Sequence, residues 1–472
     1  MKRFKLTLLF VVVALFAVVG VSYAQIAANA SFTTSITYQN VGTGTATINF
    51  AFYPENNGTP INVSKTLAAG AGSSLFVGSL SEINPGFSGS AVLSSDQPIV
   101  ATLVQVSSDS AVKNRPLSNG FSSGSPQVLF PTLLKNQYST TSRFSIQNVS
   151  SEAVNITVNI YNAASPTDPP IVVTHNNLPA GAAKYFDMGQ LSQITASSFN
   201  GSATVTAVKA SDGTTPANIV GSVIEASTTG SSVSAFEGVS SGSSTVYMAT
   251  GLCNAYGASS AYAVQNVGTS PTTVTVTYSG GETDSATIQP GAKNSFLACD
   301  KLSPGTSTAA VITASGGGSI VVIGKVFGSG NSTAWVGASS GASKIALPYV
   351  RFTESGWDDG SRQRAYIAIQ NIGGDLNANE VTVTYRDLNG NVVGTHQLGA
   401  MTNGQKLNSW ATNPGVVGNA NDLKEFGYVG GFGGSVIIEG PAGSQLVAVV
   451  RVQSNVGGGS VVGEDATGIP LN

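Results

Sequence analysis

One short pattern returns four times along this chain and leaves little freedom about the fold. A strand closes on a Gln-Asn pair, followed by a branched residue and a small one. The copies are Ile36-Thr37-Tyr38-Gln39-Asn40-Val41-Gly42, Phe144-Ser145-Ile146-Gln147-Asn148-Val149-Ser150, Tyr262-Ala263-Val264-Gln265-Asn266-Val267-Gly268 and Ala368-Ile369-Gln370-Asn371-Ile372-Gly373. Their glutamines lie 108, 118 and 105 residues apart. Self-similarity at such a period means tandem copies of one structural unit.

The landmarks after each anchor recur in order. A strictly alternating strand comes first, at 46–53, 155–161, 273–278 and 380–385, each ending in an aromatic residue. In Val381-Thr382-Val383-Thr384-Tyr385 one face is apolar and the other is threonine, the period-two signature of a half-buried antiparallel strand. A Leu-x-Ala-Gly or Ile-x-Pro-Gly turn follows at 67–70, 178–181 and 288–291. Then come a Gly-rich strand, as in Gly86-Phe87-Ser88-Gly89-Ser90-Ala91-Val92, and a last, more apolar strand. About seven short strands per copy is the pattern of an immunoglobulin-like sandwich. The expectation is therefore an all-β chain of four tandem immunoglobulin-like β-sandwich domains in a row, at 25–125, 126–243, 244–342 and 343–472. The Cys–Trp–Cys core of antibody domains is absent, and helical periodicity is confined to 421–426.

The first 24 residues read as a signal peptide. Lys2, Arg3 and Lys5 precede an apolar run over 6–21, and Ser22-Tyr23-Ala24 ends it in the small-x-small pattern of a cleavage site. The expected location is secreted, extracellular or at the cell surface. Cleavage takes the net charge from −3 to −6. That leaves no basic footprint for nucleic acid, and no later segment is apolar for long enough to span a bilayer. Charged residues are only 10% of the chain, so hydroxyls and amides face the solvent and self-association is weakly opposed.

Apparent catalytic and metal motifs give way to plainer readings. G-x-S-x-G occurs at 120–124, 238–242 and 337–341, but no helix follows as a nucleophile elbow requires, and the repetition marks a linker. The only histidines, His175 and His396, read as solvent-facing strand residues. Asp387, Asn389 and Asn391 alternate as calcium ligands do; the competing reading, a type I′ hairpin turn at Asn389-Gly390, takes precedence because the closing glutamate is missing. No cofactor is expected otherwise. Cys253 and Cys299, alone in an exported chain, are expected to form a disulfide worth about 4 kcal/mol on the chain-entropy estimate, with free thiols as the alternative. The recurrent tyrosines at 38, 53, 161, 262, 278 and 385 read as packing residues. Trp357, beside Asp358 and Asp359, is the candidate surface contact.

After each Gly-Ser linker comes a short apolar segment: Val128-Leu129-Phe130-Pro131, Val246-Tyr247-Met248-Ala249 and Ile345-Ala346-Leu347-Pro348. Gly468-Ile469-Pro470-Leu471-Asn472 aligns as a further copy, at the C-terminus. Either each segment closes the sandwich before it, the reading preferred from sequence, or each opens the sandwich after it. In the second case residues 468–472 are a self-assembly strand that completes the first domain of another molecule.

The signal peptide, the Val-Thr-Val-Thr-Tyr strands, the Leu-x-Ala-Gly turns and the Gly-Phe-x-Gly-Ser strands together resemble bacterial secreted surface proteins with tandem immunoglobulin-like or fibronectin-like repeats. The resemblance is one of architecture. It implies a non-enzymatic role as a structural subunit of an extracellular filament, sheath or surface layer, with copies of itself as partners. The alternative it implies is a secreted adhesin or carbohydrate-binding protein with cell-surface glycans as partners.

Overall fold

The computed structural model describes residues 27–471 except 110, 113, 329–330, 355–362, 428–433 and 456–460. The described residues are almost wholly β, in eight antiparallel sheets of three to six strands. One short α-helix, Ala420–Lys424, overlaps the expected helical stretch 421–426.

The sheets pack face to face in pairs. In the first pair, Gly72–Phe76, Phe32–Asn40, Ile99–Ser107 and Leu117–Asn119 form one sheet; Ile61–Leu67, Ala46–Pro54 and Gly89–Ser95 form the other. Ile36, Tyr38, Ile48, Phe50, Phe52 and Leu75 meet between them. Their alternation along each strand is what puts them on one face. Three further pairs repeat this plan around their own cores.

The Gln-Asn anchor explains why the plan repeats. Asn266 is fully buried. Its Nδ2 donates to the carbonyls of Ser270 (2.8 Å) and Ile288 (2.9 Å), and its Oδ1 accepts from Gly268 N (2.9 Å). One side chain thus ends the strand, shapes the turn after it and ties the strand to the glycine-bearing turn of the opposite sheet. Asn40, Asn148 and Asn371 make the same three kinds of bond. The preceding glutamine donates to the turn glycine's carbonyl in each copy: Gln147 to Gly181 at 3.1 Å, Gln265 to Gly291 at 3.0 Å, with Gln39 and Gln370 at longer range.

Three sequence expectations are corrected. The apolar segments after the linkers do not close the preceding pair. Gln127–Lys135, Thr245–Cys253 and Lys344–Val350 each hydrogen-bond into the sheet that follows, beside Phe199–Lys209, Thr306–Ala314 and Gly434–Glu439. They are called entry strands below. For two of them the reason is geometric: Gln127–Lys135 and Thr245–Cys253 are joined to their anchor strands by the short connections 136–139 and 254–258, which residues of left-handed φ such as Asn136, Tyr138, Asn254 and Tyr256 turn.

The C-terminal segment is not a further entry strand. Ile469–Pro470 lies along Lys344–Val350 of its own sheet, with Ala346 opposite Ile469. It occupies the place that Val239 takes beside Leu129, and Ala338 beside Tyr247. Asn472 lies outside the described residues. Nor do the pairs stand in a row: the fourth meets the first. Gly72 N donates to Leu388 O (3.2 Å), Val104 and Leu117 pack into the fourth core, and Val100 clusters with Ala346 and Ile437. The array closes on itself.

Replacing Asn266 with alanine strands two carbonyls and an N–H in the interior, so Asn266→Ala is expected to cost about 3 kcal/mol in urea unfolding. Thr273→Ala, at an exposed site of the same sheet pair, is expected to stay within about 0.5 kcal/mol.

Candidate functional site: the joints and the axis

The polar chemistry of this chain lies between the sheet pairs. At the joint of the first and second pairs, Gly181 O accepts from Ser90 Oγ (2.8 Å), and Lys184 Nζ meets Glu55 (2.9 Å). At the next joint, Gly291 O accepts from Ser202 Oγ (2.7 Å). At the third, Gly404 O accepts from Ser279 Oγ (3.1 Å). The turn glycine therefore serves two partners, its own glutamine and a serine of the preceding pair. Gly181 and Gly291 have φ of +77°, and a β-carbon there would overlap the rings of Tyr53 and Tyr161. Tyr53 and Tyr161 are thus joint residues, whereas Tyr38, Tyr262, Tyr278 and Tyr385 are buried within sheet pairs.

A buried lysine and a half-buried one mark two joints. Lys293 Nζ donates to Thr132 Oγ1 on the entry strand of the second pair (3.1 Å), and Lys406 Nζ to Ser307 Oγ of the third (3.1 Å). Burial, then the neighbouring charge of Lys325, pulls Lys293 down to about 7. Burial, then Arg451, pulls Lys406 down to about 8. Lys325 reaches across its joint to the buried Glu225.

Four strands, Leu117–Asn119, Val233–Glu237, Asn331–Val336 and Val461–Thr467, converge where the array closes. Leu117, Ala235, Ala334 and Asp465 are all buried there. The cross-links run around the axis. Asn119 N donates to Glu237, Asn119 Nδ2 to Thr467 O (2.7 Å), and Thr467 Oγ1 to Val336 O (2.7 Å). Asp465 accepts two bonds from Arg451 (2.8 and 2.7 Å) and one from Thr333. Burial raises Glu237 to about 7 and Glu464 to about 8.

The sequence-derived candidates lie elsewhere. Cys253 and Cys299 form the disulfide, with Cα atoms 4.8 Å apart. Trp357 lies outside the described residues. Asp387 Oδ1 accepts from the backbone N–H groups of Asn389 (2.9 Å) and Asn391 (2.8 Å), and its Oδ2 from Asn391 Nδ2 (3.0 Å), so the carboxylate organises the turn. That turn is not type I′, because Gly390 has φ of +87° while Asn389 keeps an ordinary negative φ. A bond from Gly390 N to Asp387 O and a register shift at Arg386 make it a bulged hairpin. Its tip packs against Gly70 at the closing joint. Among the described residues, no group of three or more His, Cys, Asp or Glu side chains is placed to hold a metal ion.

His396 corrects a second expectation, since it is buried. Its Nδ1 is 2.9 Å from Ser409 Oγ, which also meets Tyr385 OH at 2.7 Å. Ser409 is sealed from solvent, and Gly415 lies against His396 Nε2. The pair has nucleophile-and-base chemistry but no approach for a substrate. Burial lowers the His396 pKa, favouring the neutral ring that can share this hydrogen bond. The three G-x-S-x-G segments are bends and isolated bridges that lead into the entry strands.

No protein-family profile matches the chain, and no curated protein matches it. Among solved structures it is weakly similar to one described as the crystal structure of a tetra-tandem repeat in the extending region of a large adhesion protein. That match has 12% identity over 95% of this chain and 97% of the other, with a TM-score of 0.09. Among the described residues, no helix is long and apolar enough to cross a membrane.

Two substitutions test the joints and the axis. Gly291→Ala is expected to lower stability by about 3 kcal/mol, because it combines a left-handed φ with overlap on Tyr161. Gly213→Ala, with similar φ (+69°) but open space, is expected to cost about 1 kcal/mol. Thermal midpoints of the two variants decide.

Glu237 tests the axis through pH. Its folded pKa of about 7 exceeds the unfolded value of about 4.3, so the folded state holds the proton more tightly. The stability this contributes is fully present below about pH 4 and lost as pH rises to 7. Glu237→Gln is therefore expected to match the parent near pH 4 and to exceed it by up to about 3 kcal/mol at pH 8. Urea midpoints at the two pH values measure this.

Proposed function

We propose that this chain is a non-catalytic structural component of an extracellular assembly such as a filament, sheath or surface layer. In this reading the four sheet pairs are immunoglobulin-like domains with boundaries near residues 125, 243 and 342, exported by the N-terminal signal peptide. The supporting observation is where the lysines and glutamates with displaced pKa values lie. Lys293, Lys406, Glu237 and Glu464 all sit where one sheet pair meets another. Groups with displaced pKa values in an enzyme converge on a cleft; these four fasten modules together. The adhesin alternative rests on Trp357, and no described residue adds to it.

Closure changes how such assembly would proceed. The contacts that would link successive molecules head to tail are met within one chain, by Gly72 and Leu388 and by Val100 and Ala346. Copies would then join through a sheet edge, or by opening the closing joint and remaking it between molecules, as in domain swapping. C-terminal strand exchange is the less supported route, because Ile469–Pro470 is engaged at home.

Small-angle scattering on a concentration series, with negative-stain microscopy of the exported material, tests the reading. Concentration-dependent polymers are expected. Monomers alone at the highest concentrations would overturn it.

A further inference from the structure

Among the described residues, one sheet is a strand short. Beside Gly89–Ser95, the first pair has no counterpart of the entry strands that flank Phe199–Lys209, Thr306–Ala314 and Gly434–Glu439. Among the described residues Gly89–Ser95 is therefore an uncovered edge, and Gly89-Ser90-Ala91-Val92-Leu93-Ser94-Ser95 holds none of the charges or prolines that usually protect one.

The closing joint shows what belongs there. At that joint Ala346 of the entry strand sits among Ile437, Val100, Val41, Ile469 and Leu471. By register, the counterparts at the first joint are Val92 for Ile437, Val220 for Val100, Val149 for Val41 and Phe121 for Ile469. Three of these are bared to solvent: Val92 at 37%, Phe121 at 41% and Val149 at 37%. The apolar ring is present, and its centre is missing.

The sequence of residues 19–27 lacks the side chains that this place takes in the second and third pairs. Counting back from the anchor, residues 19–27 hold the register of Gln127–Lys135. The inward positions filled by Val128 and Phe130, or by Val246 and Met248, would then fall on Gly20 and Ser22. Neither supplies apolar area. Ala27 instead donates its N–H to Gly230 O of the second pair.

We propose that the first sheet pair is a strand acceptor. It binds an extended segment of another polypeptide between Gly89–Ser95 and Phe121, completing a four-stranded sheet by β-augmentation. The three resident entry strands define the ligand. It carries Val or Ile facing the core, a larger apolar residue two positions on, and an apolar residue between them that fills the ring of Val92, Phe121 and Val149. This deepens the assembly reading and rests on it for its biological meaning.

The test uses the protein from Gln25 onward and a fluorescein-labelled peptide of residues 343–351. Saturable binding is expected, read by polarisation, with new amide-exchange protection in residues 90–94. Val92→Glu and Phe121→Glu, both at exposed sites, should each weaken binding at least about tenfold. So should serine at peptide positions 345 and 347. Val172→Glu, on an outer strand of the second pair, should leave it unchanged. A second variant joins a copy of residues 127–139 directly ahead of Phe32. It should melt at a higher temperature and no longer bind peptide.

Absence of saturable binding, binding indifferent to both glutamates, or an unchanged midpoint in the joined variant would overturn the proposal. Peptide binding by a protein that scatters only as monomers would uphold strand acceptance and retire the assembly reading. Polymers that form without peptide binding would do the reverse. A donor strand traced to a second copy would uphold both.

Discussion

Everything in this molecule depends on a buried amide at the end of one strand. Asn40, Asn148, Asn266 and Asn371 each satisfy two carbonyls and one N–H that would otherwise be stranded in the interior. A buried polar side chain is costly unless its bonds are met, and the same low-dielectric setting makes the met bonds stiff. The asparagine therefore fixes the separation of two sheets and the position of the Gly turn. That turn also meets the serine of the preceding pair, so a constraint internal to each sheet pair helps to hold its neighbour. The fourth pair in turn meets the first.

Much of this was legible in the sequence. The Gln-Asn repeat, the period-two strands and the positive-φ glycines are local signals. The described strands follow them closely from Phe32 to Thr467. The disulfide was legible too, since Cys253 and Cys299 are the only cysteines in the chain. What sequence could not supply was the partner of each surface. The alignment of Ile469-Pro470 with Phe130-Pro131 and Leu347-Pro348 is real, yet the segment pairs in a different role. Composition cannot separate an entry strand from the strand beside it, because both are short, apolar and preceded by glycine. His396 failed for a similar reason: its neighbour Ser409 arrives from another strand, thirteen residues away.

The joints went unread for a further reason. Ser90, Ser202 and Ser279 look like ordinary strand or turn residues in a serine-rich chain. Their role emerges only when Gly181, Gly291 and Gly404 are placed beside them. A signal did exist in the joint lysines: Lys293 and Lys406 stand at the same place relative to their Gln anchors. In a chain this poor in charge, that coincidence marked the position as special.

Closure also changes how the array can come apart. Linear repeat proteins fray from their ends, because a terminal repeat has one neighbour where an inner one has two. Here every sheet pair has two neighbours, and chain order no longer says which melts first. Among the described residues, the first pair has the smallest sheet and no fourth strand beside Gly89–Ser95, and that edge is where a closed array without ends acquires one.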